Sequence, residues 1–424
     1  MVDVAEIPET HAEAATRMAE APLPPAIREV AEVLHGAGHD VVLVGGAVRD
    51  FILGRDHGDW DLATSATPDE VVGLFRRTIP TGIEHGTVTV LFGRGDARVT
   101  TEITTFRGEG DYVDGRRPSE VLFHRALELD LARRDFTINA MAWNPLTGVF
   151  TDVFGGLEDL RAGIIRAVGE ATARFSEDGL RAMRAVRFCA TLGYRLEAET
   201  EAAIGGALDT LDQVSRERVQ VEFIKLLRSP RPSLGLWPMV ATSMWGRVLA
   251  DYDSAAVEAG IVAVDALPAD PVLRLSRLFW PLREDRPAIE AVLDTRLRPS
   301  RDERSRVLSL CRAANAELAE IQVPAAIRRA VAALGREHLG DALAVVGVAP
   351  EQIAVIERAC AGAALAMGEL DVRGRDLIQA GLLKPGPVMG RLLRRLLEWV
   401  LDEPSRNQRA LLLAEAERMI GEES

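Results

Sequence analysis

The chain has 424 residues, 47% hydrophobic and 27% charged, with a formal net charge of −14; it is too long for one ordinary core and has the balance of a soluble globular protein. No apolar run approaches the roughly 20 residues of a membrane span. Three scattered cysteines, Cys189, Cys311 and Cys360, argue against a disulfide framework and for a reducing, cytoplasmic location. The acidic balance works against a polyphosphate partner held by overall charge, so RNA would have to be met by a local arginine stripe.

Residues 1–25 are acidic, end in prolines and carry neither a basic n-region nor an apolar h-region. They are expected to form a flexible tail rather than a signal peptide. From 26 to 165 helix and strand patterns alternate. "IREVAEVLHGAG" reads as a helix, "DVVLVGG" as a buried strand, "AVRDFILG" as a helix and "WDLATS" as a strand. "PDEVVGLFRR" follows as a helix, then "GTVTVLFG" and "RVTTEITTFR" as strands. The mix predicts a compact domain on a mostly antiparallel sheet. After about residue 166 strand signals vanish and helical periodicity runs to the C-terminus, broken at "RSPRPSLGLWP", "DALPAD", "RLRPS", "QVP" and "KPGP".

Within the head, Gly45-Gly46 closes a strand and opens a helix. Such a turn is either purely structural or an approach for a triphosphate, with Arg49 one turn in. Asp59 and Asp61 flank Trp60. On a strand, both carboxylates share a side and Trp60 faces the core; off a strand, "HGDWD" is a polar turn. Two carboxylates on one side suit Mg²⁺. Glu102 sits in an otherwise uncharged strand, facing either solvent or a metal. Arg133 and Arg134 beside Asp135 suit either a helix start or a triphosphate. His35 and His39 span two glycines and read as a helix end rather than as metal ligands.

In "FSEDGLRAMRAVRF" (175–188), Asp178, Arg181, Arg184 and Arg187 recur every three residues, the spacing of one gently drifting helix face. That is either a solvated face or a reader of bases. Asp178 offers only acceptors and Arg181 only donors. Cytosine and adenine both present an amino donor beside a ring-nitrogen acceptor, whereas uracil and guanine present a carbonyl and a ring N–H. Near the C-terminus, Arg391, Arg394 and Arg395 share a face at i, i+3 and i+4, either solvated or set to meet RNA phosphates.

"LVGGAVRD", "GDWDLATSA", "RRDFTINAMA", "GGLEDL" and "EDGLRAMRAVRF" stand in an order and spacing that resembles class II tRNA nucleotidyltransferases, the superfamily of bacterial CCA-adding enzymes and poly(A) polymerases. "SRERVQVEFIKLL" is similar to the family's last neck motif, and "GRDLIQAGLLKPGPVMGRLLRRLLEWVLD" is similar, more loosely, to its tail. The resemblance implies an α+β fold. A polymerase-β-like nucleotidyltransferase head (26–165), with a mixed, mostly antiparallel sheet, would precede a helical neck (166–228), body (229–360) and RNA-binding tail (361–424). It also implies template-independent addition of CCA to the 3′ end of tRNA from CTP and ATP, by Mg²⁺-dependent attack of the 3′-hydroxyl on the α-phosphate. Asp59 and Asp61 would hold the metal, with Glu102 a third acidic residue. Gly46, Arg49, Arg134, Arg184 and Arg187 would contact the nucleotide, and Asp178 with Arg181 would select its base. The partner would be the tRNA acceptor arm.

"FRGEGDYVDGRRPSEVLF" (106–123) lacks hydrophobic periodicity and is expected to be a mobile loop. CCA-adding members have a similar loop, implicated in the switch from CTP to ATP, which favours CCA addition. A-only addition, poly(A) synthesis and a catalytically silent RNA-binding relative are the alternatives. A small-molecule nucleotidyltransferase would need neither the neck nor the helical body.

Overall fold

The computed structural model describes residues 7–55, 60–83, 86–93, 99–106, 127–249 and 254–422. The chain divides into two compact units, 1–247 and 248–424.

The first unit opens with helices α1 (His11–Glu20) and α2 (Pro25–Gly36), strand β1 (Val41–Val44), α3 (Gly46–Ile52), β2 (Trp60–Thr64) and α4 (Pro68–Leu74). Strands β3 (Thr78–Gly82), β4 (Thr87–Phe92) and β5 (Val99–Thr105) follow, then α5 (Leu127–Ala132), β6 (Met141–Trp143), β7 (Phe150–Asp152) and α6 (Gly156–Ala162). The seven strands form one sheet in the order β3-β4-β5-β2-β1-β6-β7. Only the β2–β5 pairing is parallel, so the mostly antiparallel head expected from the sequence is what the chain builds. The strands β3, β6 and β7 were not anticipated: each is at most five residues long, too short for a clear period-2 signal.

β1 is buried at all four positions. Its even residues, Val42 and Val44, join Ala63, Ala142, Phe106 and Leu131 in one core cluster. α2 buries Ile27, Val30, Ala31 and Leu34, the i, i+3, i+4, i+7 stripe of a helix lying on a core.

The expected N-terminal tail instead carries α1. Thr10 and Glu13 form a capping box, which satisfies two free backbone donors at the helix start. Ala14 and Met18 are completely buried, and α1 packs on α3 and β7. Arg17 donates to the Ile52 carbonyl at 2.7 Å. Two small apolar contacts and a cap are enough to dock a helix whose composition reads as polar.

After α6 follow β8 (Ile164–Ile165), α7 (Ala171–Glu177), α8 (Leu180–Leu192), β9 (Arg195–Leu196), α9 (Ala198–Gly206), α10 (Leu208–Gln213), α11 (Arg216–Arg228), α12 (Ser233–Ala241) and α13 (Met244–Val248). β8 and β9 pair in parallel, a short exception to the all-helical expectation. Residues 175–188 are not one helix. α7 ends at Glu177, Asp178 is extended (φ −149°, ψ 104°), and its Oδ1 accepts the Leu180 N–H at 3.0 Å. An aspartate that caps the following turn competes with helix continuation. Gly179 completes the break, because a Cβ there would sit 2.4 Å from the Leu211 nitrogen. The threefold spacing therefore defines a helix face only from Arg181 onward.

The second unit is helical: α14 (Ser254–Val264), α15 (Pro271–Phe279), α16 (Arg286–Val292), α17 (Arg301–Leu310), α18 (Pro324–Leu334), α19 (Leu339–Val346), α20 (Pro350–Cys360), α21 (Gly374–Gln379), α22 (Pro387–Asp402) and α23 (Arg409–Gly421). In α22, Leu392, Leu396 and Val400 enter a core with Leu377, Leu412 and Ala416. Arg391 and Arg394 are exposed and Arg395 is half-buried. No helix among the described residues is long and apolar enough to cross a membrane.

Candidate active site

The β1–β2 register, Leu43 opposite Leu62, brings the Gly45-Gly46 turn to the Asp61 end of β2. Gly45 has φ +72° and ψ −134°, a conformation that L side chains rarely adopt. A Cβ on Gly45 would lie 3.1 Å from an Arg134 terminal nitrogen. Two motifs nearly ninety residues apart in "LVGGAVRD" and "RRDFTINAMA" therefore meet at one turn.

Asp61 is half-buried, while Trp60 is 8% exposed and packs its ring on Phe51 at 5.2 Å between centroids. Asp61 and the exposed Glu102 are direct register partners across the parallel β2–β5 pair. Neighbouring strands lie about 4.8 Å apart and register partners project to the same face. Two carboxylates thus stand side by side, the all-oxygen donor set that hard divalent cations take. Asp59 lies outside the described residues, as does nearly all of the 106–123 segment. Among the described residues no three His, Cys, Asp or Glu side chains gather closely enough to hold a metal alone.

The arginines are each held by an acid. Arg49 is buried; it donates to Asp50 at 2.8 and 3.0 Å and to Asn139 Oδ1 at 2.6 Å. Arg134 donates to Asp130 at 2.9 Å, and its Nε is buried without a hydrogen-bond partner among the described residues. Burial opposes the charge on Asp130, but Arg134 and Arg133 outweigh it and hold the carboxyl below its usual range. Arg184 donates to Asp135 Oδ2 at 2.8 and 2.6 Å. Asp135 Oδ1 takes the Asn139 amide at 3.0 Å and the Phe136 N–H at 2.9 Å. Arg187 Nε lies 2.5 Å from Glu222 Oε2, a close ion pair without hydrogen-bond alignment.

Arg49, Arg184 and Arg187 converge on the Phe188 ring, at 5.1, 5.4 and 3.8 Å from its centroid, and Phe136 meets that ring edge-on at 5.6 Å. The faces of aromatic rings attract cations. Three of the five expected nucleotide contacts, Arg49, Arg184 and Arg187, are thereby linked to one another through Asp135, Asn139 and Phe188, while Arg134 flanks the Gly45 turn that Gly46 follows.

The expected Asp178–Arg181 pair does not bond side chain to side chain. Asp178 Oδ2 accepts from Arg218 at 3.0 Å. Arg181 donates to Glu177 at 2.5 Å and to the Arg174 and Arg133 carbonyls at 3.0 and 3.2 Å. The helix break at Asp178 turns the two side chains to separate partners. Sequence reasoning gave no site role to Asn139, Glu177, Phe188, Arg218 and Glu222, and read Asp135 only as the companion of Arg133 and Arg134. Asn139 did leave a signal: a lone amide in the apolar run "FTINAMAW" must be bonded if it is buried.

A model of the poly A polymerase head domain matches residues 41–166. A model of the probable RNA- and SrmB-binding site of polymerase A matches 193–254, and one of tRNA nucleotidyltransferase domain 2 (putative) matches 365–416. The CCA-adding enzyme of Lactiplantibacillus plantarum is 37% identical over 391 residues, 92% of this chain and 94% of the relative. This chain belongs to the CCA-adding enzyme family. That of Leuconostoc mesenteroides is 38% identical over 373 residues, 86% and 88% of the two chains. The Bacillus stearothermophilus CCA-adding enzyme, crystallised with CTP, superposes with a TM-score of 0.73 at 32% identity, covering 95% of this chain and all of that one. The Thermotoga maritima CCA-adding enzyme, solved with a tRNA, shares the fold at a TM-score of 0.73 and 20% identity. The protein is a nucleotidyltransferase with a polymerase head followed by helical domains.

Proposed function

We propose that this protein adds CCA to the 3′ end of tRNA without a template, using CTP and then ATP and releasing pyrophosphate. The observation that carries this is the likeness to CCA-adding enzymes over nine-tenths of the chain, including one solved with CTP. A small-molecule nucleotidyltransferase would have no use for the neck and the helical second unit.

Asp59 and Asp61 would hold Mg²⁺, with Glu102 as the neighbouring third carboxylate. Bound there, Mg²⁺ supplies Lewis-acid stabilisation of the α-phosphate and activation of the attacking hydroxyl. The Gly45-Gly46 turn lets backbone approach the triphosphate, and Gly46 contributes a main-chain contact. Arg134, whose buried Nε has no hydrogen-bond partner among the described residues, Arg49 and the α8 arginines Arg184 and Arg187 take up the phosphate charge. Three of the five Arg49 N–H donors are engaged within the protein, so the guanidinium is oriented before substrate arrives. No protein nucleophile is required.

Asp178 and Arg181 read the base. The Asp178 carboxylate uses one site on each oxygen for Leu180 and Arg218 and keeps further lone pairs for an amino group. Arg181 is pinned at three points and offers its remaining donor edge to a ring nitrogen. Cytosine and adenine satisfy both groups; uracil and guanine would face acceptor with acceptor and donor with donor. The enzyme acts in the cytoplasm, where its three free, buried thiols stay reduced.

The test is to offer tRNAs lacking one, two or three 3′ nucleotides to the protein with CTP and ATP and to sequence the products. Completed CCA ends are expected; addition of A alone, poly(A) tails or no extension would overturn the proposal.

A further inference from the structure

Helix α3 carries two proposed nucleotide contacts, Gly46 and Arg49, in its first turn and ends at Ile52. It is seven residues long, about 10 Å, so a shift of its last turn moves its first. The last carbonyls of an α-helix have no donor within their own helix. The Ile52 carbonyl takes the half-buried Arg17 guanidinium at 2.7 Å, and a cation there also meets the negative end of the helix dipole. The donor comes from α1, which precedes the residues that the head-domain model matches.

Two kinds of contact join α1 to α3. Ala14 and Met18 are completely buried, but apolar burial is non-directional and opposes separation of the helices more than sliding. Around Arg17 packing gives way to a cleft of about 540 Å³, which Arg17, Glu20 and Pro22 line together with Phe51 and Trp60. A charge-assisted hydrogen bond is directional, so Arg17 sets where α3 lies along α1. At its other end α1 is fastened to the head. Arg161 donates to Glu9, just before α1, at 2.9 Å, and the His11 ring meets Phe150 of β7 edge-on at 5.5 Å. Trp60, between Asp59 and Asp61, packs on Phe51 of α3, so the placement of α3 bears on the start of β2 as well.

We propose that Arg17 is a positioning residue for nucleotide binding: from α1 it fixes α3, and with it Gly46 and Arg49, beneath the triphosphate. This rests on the nucleotide-binding reading of α3 given above. Steady-state kinetics of full-length protein on tRNA lacking its 3′ CCA are to be compared for wild type, Arg17→Met and Arg17→Lys. Arg17→Met keeps the apolar stem and loses the donor. Its KM for CTP should rise about tenfold, the scale on which small misplacements of substrate-orienting groups are felt, with kcat and the KM for tRNA changed less than about threefold. Arg17→Lys keeps a charged donor and should bring the KM for CTP back to within about threefold of wild type. A residue that only held the fold would lower the active fraction, cutting kcat and leaving KM where it was. Arg17→Gln is too short to reach Ile52; it replaces Arg17→Met if that variant does not fold, with the same rise expected. A wild-type KM for CTP in Arg17→Met, or in Arg17→Gln where the former is unfolded, would overturn the proposal. Wild-type protein that binds CTP but does not extend tRNA would instead sink the CCA-adding reading, and the dissociation constant for CTP across the same variants would still decide the role of Arg17.

Discussion

Asp135, in the head, accepts both the Nε and a terminal nitrogen of Arg184, in the neck, at 2.8 and 2.6 Å across 49 positions of sequence. The other Asp135 oxygen holds Asn139, and Asn139 holds Arg49. One carboxylate therefore ties together the three segments that carry the proposed nucleotide contacts Arg49 and Arg184 and the Asp135–Asn139 stretch between them.

Burial opposes the Asp135 charge, but Arg184, the Asn139 amide and the Phe136 N–H outweigh it and hold its carboxyl below the usual range. A depressed carboxyl contributes stability that is fully present above its unfolded pKa of about 3.9 and is lost as pH falls through the folded value. Thermal stability should thus be insensitive to this group from pH 5 to 8 and fall below about pH 4. Asp135→Asn should flatten that acid limb and, at pH 7, cost about 2–3 kcal/mol by stripping the charge from four hydrogen bonds. Melting curves of both proteins from pH 3 to 8 check this.

Asp61→Ala should reduce CTP incorporation by more than about a thousandfold, the several kcal/mol that Lewis-acid stabilisation supplies. Asp59→Ala should do the same. Glu102→Gln should retain activity but need about tenfold more Mg²⁺ for half-maximal rate, the scale of an outer carboxylate. Steady-state rates over a Mg²⁺ titration separate the three.

Arg181→Ala should lower the discrimination of CTP over UTP by at least about a hundredfold, since polar sites reject mismatched bases by leaving buried groups unpaired. Arg218→Ala should act in the same direction but less, because it frees the Asp178 carboxylate that Arg218 holds at 3.0 Å. Unaltered exclusion of UTP and GTP in both variants would contradict base reading by this pair.

Met18→Ala should destabilise the head by about 2–4 kcal/mol, since Met18 is completely buried on a helix that docks against α3 and β7. Urea denaturation followed by circular dichroism measures it. A flexible tail would show no change.

Arg328 is buried and donates to the Leu401 and Asp402 carbonyls, at the end of α22, and to Ala359 at the end of α20. Arg328→Met should leave three carbonyls without this donor and cost about 3 kcal/mol. The drop would appear in the unfolding transition of the second unit and spare CTP binding by the head.

The head's sheet and the catalytic motif order were legible because burial imposes a period on sequence and phosphoryl chemistry demands glycines, carboxylates and arginines in fixed local strings. "VVLVGG" reads as a buried strand into a turn because only apolar β-branched residues and then glycine satisfy both halves. β6 and β7 escaped notice because three residues carry no period. α1 escaped because its buried face is only Ala14 and Met18. The Asp-Gly at 178–179 was a turn signal of the kind that ends helices, overridden by an attractive spacing of arginines.

Sequence alone determined the order of the motifs and the chemical class they serve, because residue type carries charge, hydrogen-bonding capacity and backbone freedom wherever the chain goes. Only the tertiary structure decided which of them face one another. Asp61 meets Glu102 through strand register, Arg134 meets Gly45 through a missing Cβ, and Asp178 turns to Arg218 rather than to Arg181 because a carboxylate capped the next turn. Such pairings depend on distances between segments far apart in the chain, and local residue patterns hold no record of them.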